Sequence, residues 1–217
     1  MTPAGSAQVD KGERILGAAL EVFGRDGFAA AKVDEIASRA GVAKPTVYHR
    51  FGDKETLFTE ALRRGAGLAH ERVRAVIDAV DVRPADLRAE LEVLGHALVG
   101  CVSREDGLAV SRLQISEQNR FPELVRDLRI GNRTRTIDAL AGKLAQLAAT
   151  GRLVLRDPSR AAQQFIALVA DEVLASSEYG QRALSREEVD GPVRDGVDTF
   201  LAAFAAPAPP AGEGQPA

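Results

Sequence analysis

One cysteine, three histidines and no long apolar run characterise this chain of 217 residues. Cys101 stands alone, which excludes an internal disulfide. No stretch of about 18 uninterrupted apolar residues is present, so no membrane-spanning helix is expected. The opening MTPAGSAQVDKGE has no apolar signal core. A cytoplasmic protein is the simplest expectation. The histidines are His49, His70 and His96, and no G-x-S-x-G elbow, H-E-x-x-H helix or phosphate loop accompanies them. The segment GAGLAH at 65–70 imitates a dinucleotide loop, but no strand precedes it and its last glycine is missing. No enzyme and no cofactor are expected. His96 and Cys101 are five residues apart, a poor spacing for one metal ion on a helix, so no metal site is expected either. A net basic excess is also lacking. The net charge is −3, and any contact with nucleic acid has to be local.

Strand-like alternation is absent, and helical periodicity fills the space between a loose start and a proline-rich end. The pattern predicts an all-α fold of about nine helices. The first begins near Asp10, where Asp10 and Glu13 have capping-box spacing. It carries the stripe Ile15, Leu16, Ala19, Leu20 and Phe23, and Gly27 ends it. Short helices follow at about 33–40 and 44–51, and Asp53 can cap a longer fourth helix. Further on, Arg83-Pro84, Ser103 with Asp106, Phe121-Pro122 and Asp157-Pro158 each open a helix, and a last one covers about 191–205. The tail AAPAPPAGEGQPA has little to bury and is expected to be disordered.

The two short helices carry the chemistry. Ala37 is small where the helices would cross, and Gly41 suits a turn that needs positive φ. Ile36, Ala40, Val42 and Val47 supply apolar anchors. This is the pattern of a helix-turn-helix. Between Arg39 and Lys54 there are four cations and one anion, a local positive excess in an acidic chain. DNA rewards such a face by releasing counterions. In this motif the first turns of the second short helix enter the major groove. Lys44, Thr46, Tyr48 and His49 stand there. Thr46 can reach a phosphate or a thymine methyl, and Tyr48 a phosphate and its sugar. Lys54, at the start of the next helix, adds its ammonium to free backbone N–H groups. Arg50 fits either a phosphate or an acidic neighbour. A helical hairpin without a DNA role is the competing reading.

The segments ILGAALEVFGRDGF and VDEIASRAGVAKPTVYHRFGDKETLF, with the spacing between them, resemble the TetR family of transcriptional regulators over about 14–62. QNRFPELVRDL and LAATGRLVLRDPSRAAQQFIALV look like the AefR-like subgroup of C-terminal domains. The resemblance implies a homodimeric repressor. It would have a DNA-binding domain over 10–52, an effector-binding and dimerisation domain over 53–205, and the tail over 206–217. Two positions depart from the family pattern. Lys32 stands where the family often has Ser or Thr before the second helix, and offers charge in place of a hydroxyl. Pro45 stands where a small residue is usual, and lacks a backbone donor.

By that resemblance the last two helices pair with a second copy. Their Phe165, Leu168, Val169, Val173, Val197, Phe200, Leu201 and Phe204 exceed what one small core needs, although packing within the chain is the alternative. An effector is expected among helices spanning 57–175. The polar groups embedded there are His70, His96, Cys101, Arg112, Gln118, Asn119 and Asp171. The apolar surroundings point to a small apolar or amphipathic molecule. A helical small-molecule-binding protein without DNA binding is the competing function.

Overall fold

The structure, a computed structural model, describes residues 4–178, 182 and 184–207. Nine helices make up the described chain: α1 (Ala4–Ala30), α2 (Val33–Ala40), α3 (Lys44–Phe51), α4 (Lys54–Asp78), α5 (Leu87–Val102), α6 (Glu105–Ser116), α7 (Pro122–Ala149), α8 (Pro158–Ser176) and α9 (Arg186–Phe204). This is the all-α architecture that the periodicity predicts. One isolated bridge, Leu153 with Ala205, is the sole extended pairing among the described residues. No helix among them is long and apolar enough to cross a membrane.

Several boundaries differ from the expectation, each for a local reason. Helix α1 starts at Ala4, so Asp10 lies within it. Gly27, with φ 72, breaks the helix, and Phe28–Ala30 continue beyond the kink. Helix α5 opens at Leu87, because Asp86 accepts the Ala89 N–H; the Arg83-Pro84 pair lies upstream of it. Helix α6 opens at Glu105 with Arg104 as its flanking residue, and Ser103 instead closes α5. Gly180, expected to follow α8, lies outside the described residues, as does 208–217 of the tail. Ala206 donates its N–H to the Arg152 carbonyl.

Helix α9 starts five residues before the expected Gly191 because Ser185 and Glu188 form a capping box. The Glu188 N–H donates to Ser185 Oγ at 3.3 Å, and the Ser185 N–H donates to Glu188 Oε2 at 2.8 Å. Arg182 adds a bond to Glu188 Oε1 at 2.8 Å. The Arg182 hydrogen bond, then the Ser185 N–H, hold the Glu188 carboxyl down to about 2. A depressed folded value means that the cap contributes stability above the ordinary glutamate range and loses it as pH falls toward 2. Side-chain NMR should therefore find Glu188 half-protonated near pH 2, and Arg182→Ala should raise that midpoint toward the ordinary value.

Burial divides into two clusters. The first contains Ile15, Phe23, Ile36, Val47, Phe51, Leu57 and Phe58, and it takes in Val110 and Leu113 of α6. Phe121, Leu124 and Leu128 pack against it. The second joins α5, α7, α8, α9 and the end of α4 around Leu91, Leu140, Phe165 and Phe200. Helices α8 and α9 approach closely at Gly196, where a Cβ atom would stand 2.4 Å from the Leu168 carbonyl oxygen. Helix α4, about 37 Å long by its 1.5 Å rise per residue, contributes to both clusters.

Candidate nucleic-acid interface and effector cavity

The turn between α2 and α3 is built as its residues require. Gly41 takes the left-handed conformation, φ 64 and ψ 40, and Val42 N–H donates to the Ala37 carbonyl at 3.0 Å. Ile36, Ala37 and Ala40 of α2 and Val47 and Phe51 of α3 are buried, while Val42 is partly buried beside them. Burial at 47 and 51 is one turn of a helix, and it aims the rest of α3 outward. Lys44, Pro45, Thr46, Tyr48, His49 and Arg50 are all exposed. Pro45 sits in the first turn of α3, where its missing N–H breaks no helical bond.

The charges around this face are partly committed. Lys44 Nζ donates to Asp34 at 2.8 Å, and this bond raises the lysine's pKa. Arg39 pairs with Glu35 and Glu21, and Arg25 with Asp26 and Glu35. Lys32 precedes α2 in an extended conformation, exposed and with no side-chain bond to the helix start. The Arg50 guanidinium lies over Gly12 of α1, 2.4 Å from where a Cβ would stand, so a larger residue there would displace the arginine. Lys54 differs from the others. It is half-buried, its Nζ donates to the Ala29 carbonyl at 3.2 Å, and it lies 4.9 Å from the Phe28 ring centroid. Asp53 accepts the Thr56 N–H at 2.7 Å and caps α4; that bond lowers its pKa and keeps it ionised.

A cavity of about 290 Å³ opens among α4, α5, α6, α7 and α8. Ala66, Ala69, Val73, Val110, Ile137, Ile166 and Ala167 form its apolar walls. His70, Cys101 and Asp171, three of the polar residues singled out in the sequence, line it. His70 Nδ1 is buried with no hydrogen-bond partner. Burial, then the positive charge of Arg135 and Arg74, lowers the imidazole pKa, so the ring is neutral at pH 7. Burial also raises the pKa of the Cys101 thiol, keeping it protonated.

The other four candidates lie elsewhere. His96 fastens α5 to α9, with Nε2 2.8 Å from Asp190 Oδ1 and Nδ1 2.7 Å from the Glu92 carbonyl. Arg112 faces the opposite side of α6, in a groove shared with Glu21, Gly24 and Arg25 of α1. Gln118 and Asn119 are exposed in the turn after α6. Sequence reasoning missed Ser111, Gln114, Asn132, Arg133, Thr136 and Gln163, which also line the cavity. A signal existed in the spacing: residues 107, 110, 111 and 114 follow the period of one helix face.

The expected pairing residues need a correction. Phe165, Val169, Val173, Val197 and Phe200 are at most 1% exposed within a single chain. They are spent on the α8–α9 contact and the second core, with Phe165 and Phe200 edge to face at 5.1 Å. Leu168, Leu201 and Phe204 are partly buried against the same core.

Residues 15–61 match the tetR family of bacterial regulatory proteins, and residues 89–206 match the C-terminal domain of AefR-like transcriptional repressors. The HTH-type transcriptional activator FasR of Mycolicibacterium smegmatis is 39% identical over 79 residues, 36% of each chain. That aligned stretch therefore spans about a third of FasR's length. A TetR-family transcriptional regulator from Mesorhizobium loti superposes with a TM-score of 0.84 at 26% identity, covering 94% of this chain and all of the other. The flavonoid-responsive regulator FrrA superposes with a TM-score of 0.65 at 30% identity, covering 91% and 98%.

Proposed function

We propose, since this chain belongs to the TetR family of bacterial regulatory proteins, that it is a homodimeric repressor released from a palindromic DNA operator by a small molecule. The observation that carries the reading is the division of α3. Val47 and Phe51 anchor it, and Thr46, Tyr48 and His49 stand exposed on the helix that follows the Gly41 turn. Residues 10–52 form the DNA-reading unit, with Lys32, Lys44, Pro45, Arg50 and Lys54 around those three. Residues 53–205 form the effector and pairing unit. A second copy would meet the outward faces of α8 and α9, where Leu168 is only half-buried. Two reading helices on a two-fold dimer then lie about one DNA turn apart, roughly 34–36 Å.

The effector fills the cavity around His70, Cys101 and Asp171. Its apolar walls and neutral imidazole suit a small apolar or amphipathic molecule, and the likeness to the flavonoid-responsive regulator FrrA supports a response to one. Such a molecule changes DNA affinity only by binding the DNA-bound and released forms unequally. The protein acts in the cytoplasm, with no catalytic step and no cofactor. The match to FasR, an activator, supports a second reading in which the bound protein switches its gene on; a reporter gene behind the operator separates the two.

The test is selection of duplexes from a random-sequence pool, followed by affinity against salt. A nearly palindromic site should emerge, bound at about 10⁻⁸ M or tighter at physiological salt. Log affinity should fall linearly with log salt, by about 0.9 for each phosphate neutralised. Recovery of no sequence preference would overturn the reading.

A further inference from the structure

Helix α6 touches the cavity and the reading unit together. Gly107, Val110, Ser111 and Gln114 line the cavity. The same helix packs on α1, where a Cβ on Gly24 would lie 2.9 Å from Ala109 Cβ. It also packs on α4, where a Cβ on Gly65 would lie 2.9 Å from a Val110 methyl. Two glycines thus let α6 seat closely against both helices, and a small movement of α6 has no slack there to absorb it.

The far end of α6 meets the joint in α1. Gly27 breaks α1, so the Phe28 N–H lies just past the kink, and Glu117 Oε1 accepts it at 2.9 Å. The rest of the α6–α7 turn closes on the same residue. The Arg120 guanidinium lies 4.2 Å from the Phe28 ring centroid, and the Phe121 ring 5.1 Å from it. Helix α2 begins five residues after Phe28, and α3 follows through the Gly41 turn. The position of Phe28 therefore sets where α2 leaves the core and how α3 is aimed.

We infer that Glu117 is a positioning residue for DNA reading: it carries movements of α6, set by what fills the cavity, to the Gly27–Phe28 joint that aims α2 and α3. The inference rests on the regulatory role proposed for the cavity. It assigns the coupling to one carboxylate and one backbone N–H.

A cavity-filling substitution can stand in for the effector. Ser111→Trp places an indole in the cavity from α6, and Gln114→Trp serves if the first variant fails to fold by circular dichroism. Affinity is measured on the duplex that the native protein selects. The wedge should weaken binding about tenfold or more in the native background. It should change binding by no more than about twofold when Glu117 is alanine. Glu117→Gln, whose amide oxygen accepts the same N–H, should restore the tenfold effect, which a loss of general stability would not do. Equal wedge effects in the native and alanine backgrounds would overturn the inference, as would no effect in the native one, or glutamine behaving as alanine. If Glu117→Ala alone abolishes binding, the residue is a static support and the coupling is wrong. A native protein that selects no duplex sinks the regulatory reading as well, and no other outcome touches that reading.

Discussion

Replacing Thr46 and Tyr48 together with alanine should lower operator affinity by about 100- to 1,000-fold while leaving the fold intact. Both side chains stand outward on α3, and Tyr48 is 40% exposed. Their truncation opens no cavity, so melting should shift by no more than about 0.5 kcal/mol of stability. A specific contact in the groove is worth about 1–3 kcal/mol, and two contacts of about 1.4–2 kcal/mol each give the stated range. Neither residue is charged. The salt dependence of the remaining nonspecific binding should therefore be unchanged, because it reports the phosphates neutralised by cations. Lys32→Ala, which removes an exposed cation before α2 that makes no bond to the helix start, should do the reverse, weakening all sequences alike and lowering the salt slope by about one. Lys54 makes a poor partner in the first test. Its ammonium is engaged with the Ala29 carbonyl and the Phe28 ring, so its removal disturbs the α1 joint as well as any phosphate contact. Full operator affinity in the Thr46→Ala, Tyr48→Ala protein, measured by fluorescence anisotropy, would remove α3 from the interface.

The reading unit was legible in the sequence because its determinants are short-range. Ala37, Gly41, Val47 and Phe51 lie within 15 consecutive residues, and each acts on its nearest neighbours. The C-terminal half was legible only as helices. Periodicity shows that Phe165, Val169 and Val173 form an apolar stripe, but not whether α9 or a second chain covers it. Contact within the chain won because Gly196 lets α9 approach the α8 backbone. The start of α9 was hidden by stronger-looking punctuation. Gly191-Pro192 reads as a helix opening, yet Pro192 lies inside the helix, and the Ser185–Glu188 capping box upstream sets the true start. Of the cavity residues, His70, Cys101 and Asp171 stood out as polar groups on apolar helices. Ser111 and Thr136 did not, since a hydroxyl on a helix is unremarkable until several helices bring their polar positions together.

Phe58→Ala should destabilise the protein by about 3–5 kcal/mol, the cost of emptying a large buried aromatic site. Phe58 is fully buried on α4, and its ring stands 5.1 Å from Phe23, 5.3 Å from Phe28 and 4.7 Å from Phe121. Two of those rings belong to α1 and its kinked end, and the third to the α6–α7 turn. The aromatic cluster thus joins helices on both sides of the 52/53 boundary, and the first core is completed by Val110 and Leu113 from α6. A reading unit that borrows its core in this way should not unfold by itself. Thermal unfolding of the native protein should be one transition by both near- and far-ultraviolet dichroism. Phe58→Ala should lower its midpoint by on the order of 10 °C. Amide exchange should then quicken in α6 and the first turns of α7 along with α1 to α3. If the loss of protection stays confined to α1–α4, the two parts have separate cores, and the close coupling across α6 has no physical basis.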